Sequence, residues 1–127
     1  MNWTERMLIV LLVCAAAALL VQPPAQSYDL EQLLMGKWRQ QYGPYVTVAV
    51  YTMRGTYHEF TAITVQKGAP YRLYVVGEWR VNNNRDLWTY PKRWEPRDVR
   101  MFAEGTPIQV IDYNHFRNKL GDVYRVR

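Results

Sequence analysis

Apolar positions fall into two regimes along this chain. Met7 to Val21 is an unbroken apolar run, MLIVLLVCAAAALLV, with no period. After Gly36, apolar residues recur mostly at every second position, the spacing of strands that turn one face inward. Between the two regimes, Asp29-Leu-Glu-Gln-Leu-Leu-Met35 predicts a two-turn helix. Asp29 serves as its cap with Gln32 reaching back, Leu30, Leu33 and Leu34 form one apolar face, and Gly36 ends it.

The alternating part divides into eight predicted strands: Lys37–Tyr42, Val46–Met53, Thr56–Gln66, Tyr71–Val81, Asp86–Tyr90, Thr106–Tyr113, His115–Leu120 and Asp122–Arg127. Turn residues separate them at Arg54-Gly55, Lys67-Gly68-Ala69-Pro70, Asn82-Asn83-Asn84, Asn114 and Gly121-Asp122. Tyr71 to Val81 alternates most clearly, with Tyr71, Leu73, Val75, Gly77, Trp79 and Val81 inward and Arg72, Tyr74, Val76, Glu78 and Arg80 outward. Short strands joined by short turns predict an antiparallel meander. Eight twisted strands with one apolar face close most economically into an up-and-down barrel. Pro91 to Gly105, PKRWEPRDVRMFAEG, is the exception: a long connection with four cations and a helix start expected at Pro96.

The apolar run behaves as an address. Arg6 precedes it, Pro23-Pro24 stops it, and as a helix it would be about 22 Å long against a bilayer core of ~30 Å. A positive start, a short apolar stretch and small residues after it describe a secretory signal peptide over residues 1–27, cut after Ser27. An uncleaved anchor over residues 7–21 is the alternative, and Val13 before Cys14 fits a lipoprotein signal poorly. The expected location is therefore periplasmic or secreted, with residues 28–127 as one barrel domain.

Composition narrows the classes further. In 127 residues, 16 Lys and Arg stand against 11 Asp and Glu, and 49% of residues are hydrophobic. That is one domain, too apolar and too mixed in charge to be disordered. A single Cys excludes an internal disulfide framework and a multi-cysteine zinc site, and it lies in the leader. The leader carries one Arg and one Glu, so its removal leaves the net charge at +5. Ten Tyr and five Trp against three Phe supply strand-forming surface with polar edges.

Several short motifs carry a resemblance. Gly36-Lys37-Trp38 follows a short helix and opens the first strand. Arg54-Gly55-Thr56-Tyr57 forms a hairpin turn, and Gly77-Glu78-Trp79 repeats the G-x-W pattern in mid-chain. Ile108–Tyr113, Phe116, Gly121 and Tyr124-Arg125 close the chain. Together they cover most of Leu33–Arg127, and there the chain resembles the small bacterial lipocalin-like barrels of the calycin group. The resemblance implies a structural clasp, with Trp38 packed beneath Arg125 or Arg127 in a cation–π contact. The chain departs from that pattern in length, because about 100 residues leave no room for the deep cup of a full-size lipocalin, and a narrow barrel is expected.

Catalytic chemistry has little support. His58 and Glu59 are neighbours on a strand and point to opposite faces, although His58 with Glu78 across the sheet is a conceivable acid–base pair. No serine elbow, phosphate loop or paired-histidine metal motif occurs. No enzyme activity, cofactor or metal is expected. The positive excess suits anionic headgroups or acidic partners. Arg interleaved with aromatic residues also suits single-stranded nucleic acid, which an exported protein would not meet.

Two functional readings follow. In the first, a monomeric barrel binds a small apolar or amphipathic ligand against Trp38, Val48, Val50, Leu73, Val75 and Trp79, which are equally the expected packed core. In the second, an accessory module binds a protein or the cell envelope. Its aromatic–basic surface comprises Trp88, Tyr90, Lys92, Arg93, Trp94, Arg97 and Arg100. The leader, if uncleaved, would be the one contact with a membrane in the first reading.

Overall fold

The computed structural model describes residues 29–127. The signal-peptide reading therefore lies outside the described residues. One helix, α1 (Leu30–Leu34), precedes nine strands: β1 (Gly36–Tyr42), β2 (Tyr45–Arg54), β3 (Tyr57–Gln66), β4 (Arg72–Asn82), β5 (Asp86–Glu95), β6 (Glu104–Pro107), β7 (Gln109–Asp112), β8 (His115–Asn118) and β9 (Gly121–Val126). All nine pair antiparallel in one sheet, ordered β6-β5-β4-β3-β2-β1-β9-β8-β7. The result is an up-and-down, nearly closed all-β barrel with a short helix.

The count is nine rather than eight because one expected strand breaks. The spacing predicts Thr106–Tyr113 as one continuous strand. Instead, β6 pairs with β5 and β7 pairs with β8, and the division falls at Ile108. Pro107 has no N–H to give to a ladder, and the Ile108 N–H turns aside to donate to the Arg85 carbonyl at 2.8 Å. Ile108 is buried. The two ends of the sheet are thus successive pieces of one chain segment, so the chain itself links the two edges that do not pair.

The expected long connection is also shorter. Pro91 to Glu95 continues β5, and only residues 96–103 connect to β6, with a turn in place of the helix expected at Pro96. β5 reaches this length through a bulge opposite Val76 and Gly77 that leaves Lys92 as the extra residue. A side chain at Gly77 would lie 2.2 Å from the Tyr90 carbonyl oxygen, so only glycine permits the close pairing there.

α1 seals one end. The Asp29 carboxylate accepts from the Glu31 N–H at 3.0 Å, and the Leu30 N–H donates to Asn84 at 2.8 Å, fixing the helix to the β4–β5 turn. Leu30, Leu33 and Leu34 are buried against Trp38, Trp79 and Phe116 in the core. Burial of three leucines stabilises this plug by about 1.5–3 kcal/mol each. The Trp38 indole N–H donates to the Leu34 carbonyl at 2.8 Å.

Arg125 completes the seal. Its guanidinium lies 4.2 Å over Trp38 and 4.2 Å over Tyr113. The same group donates to the carbonyls of Leu33 at 2.6 Å, Met35 at 2.9 Å and Tyr113 at 3.0 Å. These carbonyls include the ends of a helix too short to satisfy its own. Arg127 is exposed at the last position of the chain, and Trp38 stacks under Arg125 alone.

Candidate functional site

Away from the plugged end, the barrel is not filled. A cavity of about 230 Å³ lies among β1, β2, β3, β5, β6 and the β8–β9 turn. A deeper chamber of about 70 Å³ continues toward Trp38, Phe116 and Val123. The two share Gln40, Thr47, Ala49, Tyr51, Leu87 and Asn118. Small residues create the space: Ala49 and Ala62 face inward where larger side chains would fill a barrel of this girth. Tyr42, Glu104, Lys119 and Leu120 surround the mouth, and an ion pair joins the Lys119 ammonium to the Glu104 carboxylate there.

The wall differs from the one expected. On β2, Thr47, Ala49 and Tyr51 line the cavity, so Val48 and Val50 lie on the opposite face, half-buried. The register explains this, because inward Trp38 on β1 stands opposite Ala49 and not opposite either valine. Trp38 borders the deeper chamber. Val75 and Trp79 are buried in the core, with Leu73 packed against it, on the inner face but away from the cavity wall. Gln40, Phe60 and Leu87 belong to the wall and were not anticipated. Carrying the inward position of Trp38 through the Tyr42–Tyr45 hairpin would have found Ala49 and Tyr51.

Some polar groups of the wall are committed to the protein, while the hydroxyls of Tyr42, Thr89 and Thr106 on the outer part have no hydrogen-bond partner among the described residues. The Gln40 amide donates to Asn118 at 2.8 Å and to the Gly121 carbonyl at 3.3 Å. The Thr47 and Thr64 hydroxyls bond each other at 2.8 Å. Tyr51 is different. Its ring packs 5.5 Å from that of Trp79 and 6.2 Å from that of Phe60, and its hydroxyl has no hydrogen-bond partner among the described residues. Enclosure pushes this phenol from an ordinary 10.0 up to about 12, because the charged form would lose water without gaining a partner. Tyr51 is nevertheless half-buried by surface exposure, since the space it touches belongs to the cavity.

The expected aromatic–basic surface is split by the alternation of β5. Trp88 and Tyr90 stack at 6.3 Å on the outer face. Trp88 lies flat on Gly105 of β6, where a Cβ would come within 2.4 Å of the indole. Trp94 does not join them: it pairs with inward Val75, packs against the core, and buries its indole nitrogen without a partner among the described residues. Lys92, Arg93, Arg97 and Arg100 are exposed, and none takes part in the ion pairs seen among the described residues.

The two histidines tie elements together. His58 meets Glu31 of α1, not Glu78, and its other ring nitrogen faces the Thr56 carbonyl at 3.1 Å. Glu78 pairs across the sheet with Glu59. His115 and Arg117 both donate to Asp122, at 2.8 and 2.7 Å, and together they hold its carboxyl below the usual carboxylate range. Both clusters lie off the cavity wall. Among the described residues no three His, Cys, Asp or Glu side chains gather where they could hold a metal ion.

The geometry thus leaves a small, half-polar chamber in a barrel sealed at one end. Compared with protein-family models, with curated proteins and with solved structures, the chain has no match.

Proposed function

We propose that this chain is an exported, non-enzymatic binding protein of lipocalin-like type that holds a small amphipathic ligand inside its barrel. Residues 1–27 act as its signal peptide, and the domain works as a monomer. The observation that carries the reading is the cavity of about 230 Å³, walled by small and aromatic residues where a barrel of this size is ordinarily filled. Apolar surface from Ala49, Phe60 and Leu87 favours burial of a ligand body, while the Thr47, Gln40 and Tyr51 groups orient it. Ala62→Phe tests this by filling the space from the wall. The expected result is a folded protein whose amide resonances at Ala49, Phe60 and Leu87 no longer shift with small amphipathic compounds that move them in the parent. Shifts that persist unchanged in Ala62→Phe would count against the cavity.

A second reading rests on the β5 outer face, where the Trp88–Tyr90 stack lies near the unpaired cations Lys92 and Arg93. There the chain would serve as an accessory module against an envelope protein or an anionic surface. Retention on anionic vesicles that weakens with salt, and disappears in Lys92→Ala/Arg93→Ala, supports this second reading. Retention independent of those residues opposes it.

A further inference from the structure

The ligand class can be narrowed, on the reading that the cavity is the binding site. We infer that the barrel selects a compact, uncharged, single-ring compound whose oxygen accepts a hydrogen bond from the Tyr51 hydroxyl. Three observations converge on this class.

The first is size. At ~30 Å³ for each water-sized unit, the main cavity holds about eight heavy atoms, the bulk of one substituted ring and roughly half that of a long-chain fatty acid. The deeper chamber adds about 70 Å³, enough for one small substituent beneath Tyr51 but not for an extended chain. The plug of Leu30, Leu33 and Leu34 closes the far end against any tail.

The second is charge. Among the described residues, the ionic groups on the cavity wall are Glu104 and Lys119 alone, which are paired with each other at the mouth. Deeper in, the wall offers hydroxyls, amides and apolar surface and no cation to compensate a carboxylate. An ionised ligand would therefore lose its hydration without finding a counter-charge. A neutral one would not.

The third is an unused donor. Gln40, Asn118 and Thr47 already bond protein groups. The hydroxyls of Tyr42, Thr89 and Thr106, unbonded among the described residues, line the outer cavity alone, whereas the unbonded Tyr51 lines both chambers. Tyr51 borders both chambers, so an oxygen held at its hydroxyl would leave the body of the ligand against Phe60 and Leu87. The ring contacts of Tyr51 with Trp79 and Phe60 fix the direction in which the hydroxyl points. The residue is thus a specificity-determining donor, held ready by aromatic packing.

Nitrogen–proton NMR titration of the 28–127 domain with acetophenone, benzyl alcohol, benzoate and palmitate tests the class. Acetophenone and benzyl alcohol are expected to shift the amides of Ala49, Phe60 and Leu87, with benzoate at least ~10-fold weaker because its charge must be desolvated. Tyr51→Phe, which keeps the ring, is expected to weaken acetophenone about 3- to 10-fold, the net value of one neutral hydrogen bond. Equal binding of acetophenone to Tyr51→Phe would overturn the role of the hydroxyl. Tighter binding of benzoate or palmitate at the same amides would overturn the ligand class and leave the cavity reading standing. No shift of cavity amides with any of the four would overturn both.

Discussion

Replacing Tyr51 with Phe separates the cost of the hydroxyl in folding from its use in binding. In the folded chain the phenol is enclosed and its ionisation is pushed up to about 12 from 10.0. Unfolding exposes it to water and returns the ordinary value. The folded state therefore keeps its proton longer, and this contribution to stability is fully present below about pH 10 and is lost as pH rises toward about 12. Two pH units at ~1.36 kcal/mol each set a ceiling near 2.7 kcal/mol, of which about 1.4 kcal/mol is lost by roughly pH 11. Contact with the cavity allows some hydration, so the measured loss should lie at or below that ceiling. The phenylalanine variant has no proton to release there. Urea unfolding from about pH 8 to about pH 11 should show the parent losing roughly 1 kcal/mol more than Tyr51→Phe. Near pH 8 the variant should be as stable as the parent, or more stable by up to ~1 kcal/mol, because an unpartnered hydroxyl has been removed. A variant less stable by more than ~1 kcal/mol near pH 8 would mean the hydroxyl has a partner in the protein. A stability difference that stays constant across the alkaline range would mean the phenol is not enclosed.

The same reasoning gives further expected outcomes. Arg125→Ala removes a guanidinium stacked on two rings and strands the carbonyls of Leu33 and Met35. A loss of about 2–4 kcal/mol in urea unfolding is expected, with exchange protection lost first in α1. Asp122→Asn acts on the acid limb. The lowered carboxyl contributes stability above the ordinary carboxylate range that is lost as pH falls through its folded value, so the variant's stability should decline less between neutral and acid pH than the parent's. Gly105→Ala drives a Cβ into Trp88 and should alter near-ultraviolet circular dichroism through Trp88 and Tyr90. The cavity amides should not move in that variant, because the substitution points outward. Trp79→Ala empties a fully buried site that also donates to the Thr52 carbonyl, and should cost about 3–5 kcal/mol in the same unfolding assay.

Much of the fold was legible because strand alternation and turn chemistry agree at most positions. Arg54-Gly55, Asn82-Asn83-Asn84 and Gly121 mark reversals, and both Asn83 and Asn84 adopt the positive φ that Asn tolerates. Leu30, Leu33 and Leu34 fill the face read for them. Two errors came from proline. Pro91 predicts an end to β5, but it sits at a bulge where its missing N–H costs no regular ladder bond. Pro107 looked compatible with one long strand, but it stands where the chain leaves one neighbour for another.

The candidate site was harder to read because its wall follows from register across hairpins. Val46 to Met53 contains valines and small residues on both faces, so composition alone does not choose between them. The two-residue turn between Tyr42 and Tyr45 makes the choice, bringing Ala49 opposite Trp38 and sending Val48 and Val50 to the other side. Trp94 was misplaced for a similar reason. Pro91 to Gly105 as a sequence predicts an irregular loop around it, whereas the continuing strand gives it the parity of Val75 and turns it inward. The cavity itself arises from an absence of side-chain volume at Ala49 and Ala62, and alanine has no signature that distinguishes a wall from a packed core.

The most direct test of the central claim is an intermolecular nuclear Overhauser measurement between acetophenone and the methyl groups of the 28–127 domain. Binding inside the barrel predicts cross-peaks from the ligand ring to Ala49, Ala62 and Leu87, with none to the outward methyls of Val48 and Val50. Cross-peaks confined to Val48, Val50 or the Trp88–Tyr90 face, with the inner alanines silent, would contradict it.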